Sequence, residues 1–330
     1  DRENTIKNVK IAISNSQKVQ AAISKVERSK KEVDFAKSSK SFQTSGTLSG
    51  GARREDDESE LAVVAQISAQ KLMYDFGATD ASIDARQESL EVTKLDALIE
   101  AEDVALQLFE ALIEFNKATE INRIFEEGMV LAEPLLGQIK NISLSGIADK
   151  SSLLEAQEKY TRLEIGLEKS RSAVAISKTN FLNLFQAEGV DFIEKIDPIQ
   201  VNFQPDEIAK VVRSNYQLRR QLHFKNAIML DKKALQVGDS PTISFSTSLV
   251  APAKDFSQDS VASAGLAVDY IFNDGGSRNA QIGALRAEIE AINRITYDIE
   301  SKLTARAITL NQEYTTAKKT QFSLEDVLAL

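Results

Sequence analysis

Tyr270-Ile271-Phe272-Asn273-Asp274-Gly275-Gly276 runs straight into Ser277, where a helical pattern begins. Tyr74-Asp75-Phe76-Gly77 leads in the same way toward a second helical pattern that starts near Ser82. Upstream of both stretches the apolar residues alternate with period two, and downstream they recur at three- and four-residue steps. A strand that turns abruptly into a long helix, twice in one chain, decides the architecture.

Working outward, the residues before each turn read as a hairpin. In the first, Phe42, Thr44, Gly46 and Leu48 alternate with Ser41, Gln43, Ser45 and Thr47, and after a charged loop Leu61, Val63, Ala65, Ile67 and Ala69 share one face. The predicted strands cover about 41–50 and 61–74, joined by a loop over Arg53–Glu60. In the second, Ile243, Phe245, Thr247 and Leu249 alternate with serines, and Ala262, Ala264, Leu266, Val268 and Tyr270 follow a loop around Ala253–Asp259. These predict strands over about 241–250 and 261–272. The acidic run Glu55–Glu60 lacks the spaced ligands and central glycine of a calcium loop and reads as a solvated tip.

Helical periods fill the rest. Ile6, Val9, Ile13, Val19, Ile23, Val26 and Val33 predict one helix over 3–38 with a narrow apolar seam. A second pattern from about Ser82 to Ile139 would measure roughly 85 Å at about 1.5 Å per residue, with Pro134 a candidate kink. A turn over about 143–152 and a return helix ending near Gly189 follow. A further helix spans about 206–236, and heptads carry Ile282, Leu285, Ile289, Ile292, Ile299 and Leu303 beyond Ser277.

The second half echoes the first. Asn15-Ser16-Gln17, Phe42-Gln43-Thr44, Tyr74-Asp75-Phe76 and Ala81-Ser82-Ile83 have counterparts in the same order about 200 residues on. The chain is therefore read as two structural repeats, 1–195 and 196–330, each a helix–hairpin–helix cycle. The second stops at Leu330 without a second tip or return helix, and the chain starts at Asp1 without methionine. A longer natural protein is expected.

Composition narrows the function. With 330 residues and no cysteine, disulfides, thiolate zinc sites and cysteine nucleophiles are excluded. The single histidine, His223, excludes a multi-histidine metal centre, and no acid–base partner is visible for it. Net charge −9 and the absence of tryptophan disfavour a nucleic-acid partner. No convergent acid, base, metal or nucleotide-binding set is present, so the chain is read as a non-enzyme without cofactor.

Patterning alone fits two architectures: a soluble filament or phage-type coiled-coil protein with antiparallel sheets, or a membrane β-barrel. Strands of about ten residues suit a bilayer, but four cannot close a barrel, because the smallest have about eight. Three chains would supply twelve, in a common ring symmetry.

The residues quoted at both strand-to-helix turns resemble the TolC-type outer-membrane channel family. So does Gly146-Ile147-Ala148-Asp149-Lys150-Ser151-Ser152-Leu153-Leu154, which is similar to the family's helix-tip turn, and Asp239-Ser240-Pro241 at strand entry. Ser38-Ser39-Lys40 has no proline there, a departure. The resemblance implies a mainly helical protomer with transmembrane β, giving a homotrimeric twelve-stranded barrel in a Gram-negative outer membrane and a helical tunnel in the periplasm. It also implies a passive exit duct of a tripartite efflux pump or type I secretion system. Its partners would be a periplasmic adaptor (membrane fusion) protein, an inner-membrane transporter and outer-membrane lipid.

On that reading Gly146, Ile147, Ala148, Ser152, Leu153 and Leu154 are the adaptor-docking tip, or else only a turn that reverses the chain. Tyr74, Phe76, Gly77, Tyr270, Phe272, Gly275 and Gly276 form the strand-to-helix hinges; Phe76 and Phe272 are interface anchors or packed aromatics. Phe42, Leu48, Ile243, Phe245 and Leu249 face lipid, and the intervening serines and glutamines face the lumen.

Overall fold

A computed structural model describes residues 2–55, 58–146, 149–185, 205–254 and 260–328. In chain order its elements are α1 (Arg2–Asn15), α2 (Gln17–Ser38), β1 (Gln43–Glu55), β2 (Glu58–Tyr74), α3 (Ala78–Leu144), α4 (Lys150–Phe185) and α5 (Pro205–Ser214). There follow α6 (Tyr216–Val237), β3 (Thr242–Lys254), β4 (Val261–Asp269) and α7 (Ser277–Leu328). They divide into two compact units, one of Asp1–Ala22 with Leu98–Val201, the other of Ile23–Ala97 with Asn202–Leu330. The units cut across the two halves of the sequence, because α3 and the α1–α2 segment each contribute to both.

The predicted helix over 3–38 is broken at Ser16, and the one over 206–236 at Asn215. At each break the carbonyl opens a new helix: Ser16 O accepts the Gln20 N–H at 2.9 Å, and Asn215 O accepts the Arg219 N–H at 3.2 Å. The Asn215 side chain also accepts the Gln217 N–H at 2.8 Å. Serine and asparagine favour this local alternative to a continuous helix. The apolar period continues across a one-residue interruption, so periodicity alone conceals it.

In the first unit, Val9, Ala12 and Val19 of α1 and α2 bury against Val104, Leu108 and Leu112 of α3 and Phe181 of α4. The Phe115 and Phe181 rings stack with centroids 6.2 Å apart. The buried Ser170 hydroxyl is satisfied by Leu167 O at 2.7 Å and lies 3.0 Å from Asn122 Oδ1. Further along, α3 and α4 approach closely where glycine removes a side chain. A Cβ at Gly166 would lie 2.3 Å from the Phe125 ring, whereas one at Gly128 would meet Leu163 at an ordinary 3.5 Å. Helix α3 continues through Pro134 to Leu144, beyond the predicted end near Ile139.

In the second unit the strands form one antiparallel sheet in the order β1-β2-β3-β4. The β2–β3 pairing, with Ile67 opposite Leu249 and Lys71 opposite Phe245, joins the two hairpins. Helical packing there buries Val33, Ile83, Val92, Leu95, Ala227 and Ile292.

Strand boundaries differ from the sequence reading in both hairpins, and β3 runs on to Lys254, into the loop expected around Ala253–Asp259. The expected loop over Arg53–Glu60 is mostly ladder: Arg53 pairs with Glu60, Arg54 with Ser59 and Glu55 with Glu58. Ladder bonds are made by the backbone and do not require apolar alternation. Strand β4 ends at Asp269, so Tyr270–Phe272 lie beyond it.

Replacing Gly166 with Ala should destabilise the protein by about 1–3 kcal/mol through overpacking against Phe125. Gly128→Ala should be neutral or mildly stabilising, since it adds helix propensity without a clash. Thermal unfolding followed by helical circular dichroism distinguishes the two, and equal midpoints would refute the close approach.

Candidate functional site

The register gives the sheet two chemically opposite faces. One carries Phe42, Leu48, Ile67, Ile243, Phe245, Leu249, Leu266 and Val268, at positions opposite one another or two residues apart. Leu48 and Leu266 are 74% and 69% exposed, so this apolar face is uncovered within the chain. The other face carries Gln43, Ser45, Thr47, Gln66, Ser68, Gln70, Ser244, Ser246, Ser248 and Ser263. Ser45, Ser68, Ser248 and Ser263 form one row across all four strands, with hydroxyl oxygens 2.8 Å apart at Ser45–Ser68 and at Ser248–Ser263. Alternation with period two, read through the ladder, places Leu48, Ile243, Phe245 and Leu249 on one face, and Phe42, just before β1, joins them through its ring contact with Phe245.

The turns from strand to helix are the most ordered part of the site. Asp75 Oδ1 accepts the Gly77 N–H at 3.1 Å and its Oδ2 accepts the Thr79 N–H at 2.7 Å. Asp274 repeats this with Gly276 at 2.9 Å and Arg278 at 2.8 Å. Between carboxylate and helix two consecutive residues take positive φ: Phe76 (58°) and Gly77 (92°), then Gly275 (66°) and Gly276 (87°). Each carboxylate thus satisfies N–H groups that a helix start leaves unpaired, while the left-handed pair swings the chain out of the sheet.

This pattern repeats at 199 residues, whereas the aromatic match quoted from sequence repeats at 196. The structure separates two features that the sequence reading merged. Tyr74 packs on Phe76 at 4.7 Å and Tyr270 on Phe272 at 4.9 Å, so the ring pairs correspond. In the first turn Phe76 is both ring partner and first left-handed residue. In the second, Phe272 keeps the ring and Gly275 takes the left-handed position. A phenylalanine there carries a backbone penalty of about 1–2 kcal/mol that glycine does not. The Asp-x-Gly spacing is the sequence signal of the cap, and it is distinct from the aromatic pair beside it.

A charged pair ties each incoming helix end to the outgoing helix. Lys40 pairs with Asp80, and Arg278 with Asp239, with the signs exchanged between the two turns. Nearby, His223 does have a partner: its Nδ1 lies 2.7 Å from Glu88 Oε2 on α3. Arg220 reaches Asp96 at 2.5 Å, and burial pushes the Asp231 carboxyl upward against the opposing pull of Arg86. These ties stitch α6 to α3 across positions far apart in sequence. Among the described residues no group of metal-binding side chains is assembled, and no helix is long and apolar enough to cross a membrane.

No protein-family model matches the sequence, and no curated protein matches it significantly. Solved structures do. A structure of CusC, described with its transmembrane channel formation, matches with TM-score 0.81 at 13% identity over 96% of this chain and 78% of its own. The outer-membrane channel OprN matches with TM-score 0.82 at 13% identity, over 97% and 76%. The Campylobacter jejuni CmeC outer membrane channel gives TM-score 0.75 at 13% identity, over 98% and 75%. The fold is that of the TolC-type outer-membrane channels.

At the expected tip of this TolC-type fold, Gly146 has φ 78°, the left-handed value that ends α3, and the Asp149 carboxylate accepts from the Ser151 hydroxyl at 2.9 Å. Those bonds hold the Asp149 carboxyl below its ordinary range. Ser152 and Leu154 are exposed and Leu153 half-buried; Ile147 and Ala148 lie outside the described residues.

Both hinge carboxyls sit low. For Asp75 burial pushes upward but is outweighed by the Thr79 and Gly77 donors, and for Asp274 the Arg278 and Gly276 N–H groups pull it down. A carboxyl lowered by folding stabilises the folded state above its unfolded pKa, near 4, and that contribution fades as pH falls through the folded value. Asp75→Asn with Asp274→Asn should therefore lower the thermal midpoint at neutral pH and flatten its decline below about pH 4. An unchanged acid limb would refute the capping role.

Proposed function

We propose that the chain is a protomer of a homotrimeric outer-membrane channel, built from two repeats (1–195 and 196–330), that serves as passive exit duct of an efflux or secretion assembly. One observation carries this reading. A four-stranded sheet with an uncovered apolar face, a hydroxyl- and amide-lined opposite face and two unpaired outer edges is incomplete as a monomer. Unpaired backbone groups cost several kcal/mol each in hydrocarbon, so β1 must meet β4 of the next copy. Twelve strands close the ring, and the serine row then becomes a continuous belt around a wet lumen.

The apolar face turns to lipid and the hinges pass the chain into helices that line the periplasmic tunnel. The groove between α2 and α3, with Arg28, Glu32, Ile83 and Arg86 in its wall and Phe35 80% exposed beside it, is open for a neighbouring copy. At the far turn Ser152, Leu153 and Leu154, next to Gly146, present an apolar contact for a periplasmic adaptor, and an inner-membrane transporter supplies energy. In the middle of the sheet the lumen face carries hydroxyls and amides, and its one charge near the hinge end is Asp269, opposite Thr242, a lining that suits conduction rather than chemistry.

Phe245→Arg and Leu249→Arg should prevent detergent-resistant trimers from forming in membranes, at a cost of about 2–4 kcal/mol per site if at mid-bilayer. Ser246→Arg should leave trimers intact and reduce single-channel conductance. Equal effects on both faces, or a wild-type protein that fractionates as a water-soluble filament, would refute the proposal. Leu154→Glu should leave trimers and conductance unchanged while abolishing adaptor co-purification; undiminished adaptor capture would remove the tip assignment alone.

A further inference from the structure

From the row of Leu48 and Ala65 to the hinge end of β2, the apolar face carries one charge. Lys71 stands on β2 opposite Phe245, in the row that begins with Phe42 and ends with Leu266. Its ammonium lies over the Phe42 ring, 5.2 Å from the centroid. The Phe42 and Phe245 rings themselves meet edge to face at 6.4 Å, closing an aromatic cradle under the lysine. No carboxylate among the described residues pairs with Lys71. It lies three residues before Tyr74, where β2 ends, and so at the hinge end of the sheet.

A lysine on such a face is costly at mid-bilayer but not near an interface, where its stem covers apolar surface and its ammonium reaches the headgroups. The aromatic rings supply partial neutralisation from one side. Lys71 is half-buried, leaving ammonium donors free for an anionic group at the hinge end of the sheet.

Resting on the channel reading above, we propose that Lys71, with Phe42 and Phe245, is a binding site for the phosphate of an anionic phospholipid in the leaflet nearer the hinges. Each protomer carries one such site, because the corresponding row position on β4 is Leu266. The lipid would seal the sheet where strands give way to helices.

Native mass spectrometry of the detergent-purified full chain tests this with phosphatidylglycerol and phosphatidylcholine as probes. Wild type and Lys71→Arg should hold phosphatidylglycerol about fivefold more tightly than Lys71→Met or Lys71→Gln. All four should hold phosphatidylcholine alike, and inorganic phosphate should not displace the lipid. Equal phosphatidylglycerol retention by wild type and either neutral variant, in particles that remain trimeric, overturns the site and leaves the channel standing. Displacement by inorganic phosphate overturns the lipid assignment in favour of a free-anion site. A wild-type protein that takes up neither detergent nor lipid defeats the channel reading itself, and this inference with it.

Discussion

A backbone N–H or C=O withdrawn from water must find a partner, and four strands in a row leave those along two edges without one. β1 and β4 are the outer strands, and each has a neighbour on only one side. A soluble protein would blunt such edges or cover them with a helix. Here the adjoining apolar face is uncovered as well, with Leu48, Leu266 and Val268 each more than 60% exposed. Both kinds of unsatisfied surface are removed together by adding identical copies edge to edge in a nonpolar solvent. The proposed ring of copies thus rests on a hydrogen-bonding requirement of the secondary structure.

The helices answer a different constraint. Their seams are narrow, and the buried cores are assembled from single rows such as Val104, Leu108, Leu112 and Phe115. A narrow seam holds helices side by side along a single row of contacts. The hinge aspartates provide fixed points in that arrangement. Two acceptor oxygens on one residue hold a strand exit and a helix start together.

Much of this was legible in the sequence. Alternation over Phe42–Leu48 and Ile243–Leu249 located both hairpins and sorted their faces, because a strand's period of two is imposed by the pleat and survives any context. The long periods of α3 and α7 were equally clear. What periodicity could not show were features of one or two residues: the caps at Ser16 and Asn215, and the Asp-x-Gly turns at Asp75 and Asp274. Interactions between distant segments were also hidden. Nothing local links His223 to Glu88, or Lys71 to the Phe42 ring, because the ladder register and helix packing that bring them together are set by the whole unit.

The exchanged signs of Lys40–Asp80 and Asp239–Arg278 carry a consequence for fidelity. The two halves use the same aspartate cap and left-handed pair at their turns, so an incoming helix end from one half could in principle dock on the outgoing helix of the other. That mismatch would set Lys40 against Arg278, or Asp239 against Asp80, replacing attraction by repulsion. Opposite polarity acts as a parity mark: it lets a chain with two similarly capped elbows distinguish one joint from the other as it folds.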